Sequence, residues 1–443
     1  MHARRQFSSS LYLCPSSSSS LSLRVGGTVG TRILLCFALA VSLAGSALAA
    51  NTPETLHAFQ APGDSGDGGS LYSSLTLDSA GNAYGTTVDG GAYNAGIVYE
   101  LSPEGGGQWK ETILYNFKGG SVDGSGSHAN LVFDSAGNLY GTTVGGGLTA
   151  KGCGSGCGIV FKLSPSADGG EWTETILHEF TGGSDGGVCY SGVIMDSAGN
   201  LYGTNIVGGV DGVGTAYELS PTSNGDWQET VLHSFAGGST DGATPYNPLT
   251  FDAAGNLYGT TYTGGAHNLG TVFRLTSQRS GSWKEQILHS FSGGHDGAMP
   301  FAGVILDQSG NLYGTTLGGG TAGVGVAYEL TAAGNWKETI LHEFLGLEAA
   351  DGANPNGLVF DQSGNLYGTT VGGGKFNPGT IFRLSRHGSE WKETVLYSFT
   401  AGNDGAYPSA APTLDSAGNL YGTTLWGGPA GDTVGGVAFE LVP

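Results

Sequence analysis

Apolar and polar residues alternate in short bursts along the chain, and a clear one is 283–291, Trp-Lys-Glu-Gln-Ile-Leu-His-Ser-Phe. Trp283, Glu285, Ile287, His289 and Phe291 fall on one face, and Lys284, Gln286, Leu288 and Ser290 on the other. A period of two predicts a strand. Both faces carry apolar residues, so this strand is expected to lie between neighbours while staying partly open to water. Three shorter segments precede it at 249–252, 257–261 and 271–275, all rich in aromatic or β-branched residues. Glycine and Asx tracts such as Asp252-Ala-Ala-Gly-Asn256 and Gly264-Gly265 separate them, as hairpin turns require. The pattern predicts four strands and no substantial helix.

The same four segments recur along the chain. The tract Gly-Asn-Leu-Tyr-Gly-Thr, or a close variant, places its tyrosine at Tyr84, Tyr140, Tyr202, Tyr258, Tyr313, Tyr367 and Tyr421, with spacings of 56, 62, 56, 55, 54 and 54. Seven copies of a four-stranded antiparallel unit predict an all-β, seven-bladed β-propeller. The blades are expected at about 68–117, 124–180, 186–235, 242–291, 297–344, 352–399 and 405–442, the last completed by 54–59. The tryptophan-led fourth strand occurs only six times, at Trp109, Trp172, Trp227, Trp283, Trp336 and Trp391. Glu54-Thr-Leu-His-Ala-Phe59 matches Glu174-Thr-Ile-Leu-His-Glu-Phe180 and supplies the seventh copy from the other end of the chain. The ring should therefore close with the N-terminal strand beside the C-terminal one.

These units, with Asp-x-x-Gly-Asn-Leu-Tyr-Gly-Thr-Thr, Gly-Gly, Gly-Thr-Val-Phe and Trp-x-Glu-Thr-Ile-Leu-His-x-Phe, resemble the bacterial GloVer tandem-repeat family over nearly all of residues 54–442. The resemblance implies an exported repeat protein of the "choice-of-anchor" type, often tied to the cell surface by a C-terminal sorting segment, with no assigned activity. It carries no catalytic residues onto this chain. Pro443 follows directly on a strand, a departure from that pattern that puts surface anchoring in doubt.

Charge and composition narrow the partners. Sixteen basic residues face 37 acidic ones for a formal charge of −21, which opposes nucleic acid and anionic membrane surfaces. Residues 1–49 read as a secretory signal peptide and 50–443 as a single propeller domain. The leader holds Arg4, Arg5, Arg24 and Arg32, no acid, an apolar run at 33–43, and Ala47 and Ala49 spaced for signal peptidase. The run is short for a membrane span, and no later segment is long enough for one. The mature protein is expected to be secreted or at the cell surface. It keeps Cys153, Cys157 and Cys189, and an oxidising compartment favours a Cys153–Cys157 disulfide closing a glycine-rich loop. A metal site at these cysteines and a Cys157–Cys189 pairing are the alternatives.

Three sets of polar residues are candidates for chemistry. Asp67, Asp123, Asp185, Asp241, Asp296, Asp351 and Asp404 each precede a glycine before a first strand. They could ring the channel mouth as hard oxygen ligands for calcium, or serve as turn residues. A second set, Asp78, Asp134, Asp196, Asp252, Asp307, Asp361 and Asp415, is explained by turn chemistry. Fourth-strand glutamates such as Glu111, Glu174 and Glu393 are expected to be solvated or paired with lysine. His57, His178, His233, His289 and His342 share one strand position with Tyr115 and Tyr397, so a packing ring with a polar tip explains them. His128, His267 and His295 are unique to their units, as a single active site requires, and imidazole beside Asp296 could hold a metal or move a proton. No nucleophile elbow, HExxH or dinucleotide fingerprint is present.

The expected function is a binding or display scaffold at the bacterial exterior, with a glycan, peptide or protein ligand and no cofactor unless calcium. The rival is an extracellular lyase or hydrolase acting on a polymer at the channel mouth.

Overall fold

A computed structural model of the chain describes residues 52–60, 66–149, 153–166, 172–428 and 435–443. The expected signal peptide lies outside these residues. Within them the chain forms seven small antiparallel sheets of four strands, and no α-helix is present among them. In the fourth sheet Thr250–Phe251, Leu257–Thr261, Thr271–Ser277 and Trp283–Ser290 pair in chain order. The turn joining the first two of these strands is held by Asp252, which accepts the Ala254 and Asn256 backbone N–H groups and the Asn256 side-chain amide at 2.7–2.9 Å. The glycine of Tyr-Gly-Thr is fixed by packing, because a Cβ on Gly259 would sit 2.5 Å from Phe273 Cζ and one on Gly85 would sit 2.3 Å from the Tyr99 hydroxyl.

One feature of the outer strand departs from strict alternation. In each sheet its pairing with the third strand slips by one residue, so that Ile287 opposes Phe273 but His289 opposes Val272. The same bulge recurs in the other six sheets. A bulge adds one unpaired residue and reverses the face of everything beyond it. His289 therefore lies on the face opposite Glu285 and Ile287, not on the shared face that the period-two reading gives.

Apolar residues on both faces of each sheet pack against the next sheet, giving seven clusters, one per junction. Tyr202 and Phe235 of the third unit meet Leu249, Leu257 and Phe273 of the fourth in this way. The seventh sheet is built from both ends of the chain. Glu54–Ala58 pairs antiparallel with Val437–Leu441, which lies beside Leu420–Trp426 and then Thr413–Leu414. Leu56 and Phe59 are buried with Leu71, Tyr99 and Leu101 at the junction with the first sheet. The fold is a seven-bladed β-propeller closed by its N-terminal strand.

A ring of threonines ties each blade to the next. Thr86, Thr142, Thr204, Thr260, Thr315 and Thr369, each two residues after the repeat tyrosine, donate to backbone carbonyls of the following blade. The seventh, Thr423, donates to Ser73 of the first blade at 2.8 Å and completes the circuit. Cys153 and Cys157 form a disulfide, while Cys189 is a buried free thiol whose Sγ–H donates to Asn205 Oδ1 at 2.8 Å. No helix among the described residues is long and apolar enough to cross a membrane.

Candidate functional site

The blades converge on an open central cavity of about 280 Å³ lined by residues from all seven units. The lining comes from the segments that lead into the first strands. Small residues occupy the narrowest part, and Gly192 has no room for a side chain because a Cβ there would meet Asn130 O at 2.2 Å. Twelve residues before each repeat tyrosine the sequence reads Tyr72, His128, Tyr190, Tyr246, Phe301, Pro355 and Ser409. Five neighbouring blades thus present a ring at one equivalent place.

These rings touch in series around the axis. Tyr72 stacks on His128 with centroids 4.4 Å apart and an interplanar angle of 27°. His128 meets Tyr190 at 4.8 Å, Tyr190 meets Tyr246 at 5.2 Å, and Tyr246 meets Phe301 at 5.1 Å. Tyr262 packs on both Tyr246 and Phe301 and widens the arc on its outer side. The terminal rings, Tyr72 and Phe301, are 38% and 39% exposed. Between them, on the sixth and seventh blades, the wall mixes Asn356, Ser409 and Ala410 with Val371, Tyr407 and Leu425. The series of touching rings is interrupted there. Burial pushes His128 down to about 4, so it is a neutral ring at neutral pH. Burial, aided by the Asp89 charge, raises Tyr72 above the usual phenol value. No aspartate, glutamate, lysine or arginine is among the described residues that line the cavity.

Of the candidate catalytic residues, only His128 reaches this cavity. His295 Nδ1 turns to Glu343 Oε1 of the fifth blade at 2.6 Å. Asp296 is bonded by His289 Nε2 at 2.8 Å and by the Ser292 hydroxyl at 2.7 Å. His267 is exposed on a loop, and no hydrogen bond or ion pair joins it to either among the described residues. The proposed constellation of His128, His267, His295 and Asp296 does not assemble.

The Asp-Gly carboxylates line no part of the cavity either; they sit at the outer junctions between blades. Asp67, Asp185, Asp241, Asp296 and Asp351 each face the histidine of the preceding outer strand, from His57 to His342. Tyr115 and Tyr397 donate to Asp123 and Asp404 at 2.9 Å in the same way. Asp241 is typical, taking His233, the Ala236 N–H and the Gly242 N–H.

The fourth-strand glutamates meet these aspartates from the next blade, which corrects their expected solvation. Glu111, Glu174, Glu229, Glu285, Glu338 and Glu393 each bury one carboxyl oxygen with no hydrogen-bond donor among the described residues. The bulge makes this possible: it turns each histidine forward to the following blade while the glutamate faces backward. An anion there would be buried beside a second anion. Burial first, and the neighbouring aspartate second, push Glu111, Glu229, Glu285 and Glu393 up to about 7, and the same two causes push Glu174 up to about 8. Glu338 is pushed up to about 9 by burial first and its bond to Asp296 next. A proton removes the repulsion in every pair, and on Glu111, Glu174 and Glu338 it can be donated to the aspartate. Three junctions, His57/Asp67/Glu111, His289/Asp296/Glu338 and His342/Asp351/Glu393, hold ligand-type atoms within 4.8 Å of one another and could take a divalent ion. Tyr115 keeps the geometry without an imidazole, bonding Glu174 at 2.8 Å as well as Asp123, so the arrangement works as a staple between blades.

Comparison with known proteins agrees with this architecture. Among solved structures, the chain is similar to an ancestral GH74 enzyme at 12% identity and a TM-score of 0.52, covering 83% of this chain and 51% of that one. It thus spans about half the length of that enzyme. A candidate 6-phosphogluconolactonase from Bacteroides uniformis matches at 13% identity and a TM-score of 0.50, covering 77% of this chain and 88% of the other. At such identities the likeness concerns the fold alone. No curated protein matches the sequence. The profile of the Gloeobacter/Verrucomicrobia repeat matches residues 72–325 and again 280–443. With that profile covering most of the propeller, and with the GloVer-type repeat visible in every blade, the chain belongs to the Gloeobacter/Verrucomicrobia repeat family.

Proposed function

We propose that this protein is an exported binding propeller whose ligand is received at the channel mouth, on the arc from Tyr72 to Phe301. The observation that carries this reading is the arc itself. Ring-to-ring contact continues across five blades at an open cavity, whereas the tyrosines of the repeat, such as Tyr258, spend their hydroxyls on the turn aspartates. A concave apolar wall with a few polar groups is what ligand sites share. Export rests on the leader-like residues 1–49. A hydrolase reading lacks support in this cavity, since glycoside hydrolysis uses a carboxyl pair and the described lining residues include none.

The test is to screen the purified full-length protein on glycan and peptide arrays, then to measure the hits with Tyr190→Ala and Tyr246→Ala against a His267→Ala control. The arc variants should weaken binding and the control should not. Arc variants that bind like the parent overturn the reading. Export is tested separately by fractionating cells that make the full chain, where unprocessed protein confined to the cytoplasm would remove it.

A further inference from the structure

The chemistry of the arc narrows the ligand further, and this step rests on the binding reading above. We infer that the channel mouth takes a neutral carbohydrate. A sugar ring has an apolar C–H face and an edge of hydroxyls, so its site needs aromatic surface, uncharged donors and acceptors, and no fixed charge to be left unpaired. The cavity supplies each of these. Tyr72, Tyr190 and Tyr246 line the cavity, and their phenol hydroxyls have no hydrogen-bond partner among the described residues, although each can donate and accept. Asn130 uses its carbonyl oxygen on the Ser74 N–H at 2.8 Å and has no acceptor among the described residues for its NH₂ group. His128 is neutral and adds a third kind of uncharged polar group.

The alternatives fit less well. A nucleic acid strand offers bases to the same rings, but a formal charge of −21 repels its phosphates. Anionic sugars and phosphorylated ligands find no lysine or arginine among the described lining residues. An extended peptide bound by strand addition needs an open sheet edge at the site, and here the innermost segments converge closely enough to exclude a Cβ at Gly192.

The experiment is affinity electrophoresis and calorimetry of the full-length protein with neutral polysaccharides (β-glucan, galactomannan, arabinoxylan) and their oligomers, alongside pectate, alginate and a peptide library. At least one neutral glycan should bind. Phe301→Ala and Tyr190→Ala should each weaken it about tenfold or more with unchanged melting temperature, and Tyr190→Phe should weaken it less by keeping the ring. Binding of pectate, alginate or peptides alone, weakened by the arc variants, overturns the carbohydrate inference and leaves the binding site standing. Binding that ignores every arc variant overturns both. Binding by none of the neutral glycans overturns the inference.

Discussion

At the scale of single residues, the buried glutamates set how stability responds to pH. An unfolded glutamate titrates near 4.5, whereas Glu111 is raised to about 7 and Glu338 to about 9 in the fold. Between those values the folded chain holds protons that the unfolded chain has released. The contribution is therefore complete below about 4.5 and is lost as pH rises through 7 to 9. The aspartates act in the opposite sense. Burial raises Asp67 and Asp241, but the bonds and charge of His57 and His233, added to the backbone N–H groups of Gln60, Ala236 and Gly242 and, for Asp67, the bond from Glu111, hold both below 3.8, so their contribution is lost on acidification. Thermal melts should give highest stability near pH 5 and a fall toward pH 9. Glu338→Gln keeps a donor for Asp296 without titrating, and should flatten the alkaline slope by up to about 1 kcal/mol per pH unit. A parent protein equally stable at pH 5 and pH 9 would contradict the protonated pairs. This burial was not legible in the sequence. Alternation tells which way a side chain leaves its sheet, but not that the next blade arrives over Glu285, nor that a bulge beyond Ile287 sends His289 the other way.

At the scale of elements, the strand Glu54–Ala58 is the one whose loss leaves a blade incomplete. It pairs with Val437–Leu441 and buries Leu56 and Phe59 to 5% and 0% exposure. Burial of two large apolar side chains is worth roughly 3–6 kcal/mol, so deleting 51–60 should lower the melting temperature sharply in a calorimetric scan. The truncated chain melting like its parent would remove the clasp. This element was readable in advance because six tryptophan-led strands for seven tyrosine tracts left one copy to find, and 54–59 carried its pattern. The first strands were less legible. Thr250–Phe251 spans two residues while Gly352–Phe360 spans nine, and one apolar pattern stands behind both.

For the whole molecule, closure makes the junction between the two ends equivalent to every other, and the threonine ring measures that directly. Thr423 crosses the seam to Ser73 at 2.8 Å, and Thr142 crosses an internal junction to Ser191 at 2.7 Å. Both are buried, at 2% and 0% exposure. Valine in either place keeps the shape and leaves a buried carbonyl without its donor, a loss of about 1–3 kcal/mol. In a ring, Thr423→Val and Thr142→Val should cost the same in denaturant titrations. In an arc held shut only by surface contact, the seam would open first and Thr423→Val would cost almost nothing. Sevenfold equivalence also explains why the arc went unread while the propeller did not. Repetition reveals positions that stay constant, such as the Tyr-Gly-Thr glycine under its aromatic ring, but a binding site is built from a position that varies. Tyr72, His128, Tyr190, Tyr246 and Phe301 become a series only when counted from the repeat tyrosine, and His128, read alone, looked like a catalytic singleton. The framework that makes the seven blades alike is what lets five of them differ together at the axis, so a ligand bridging that arc should stabilise the ring as one unit.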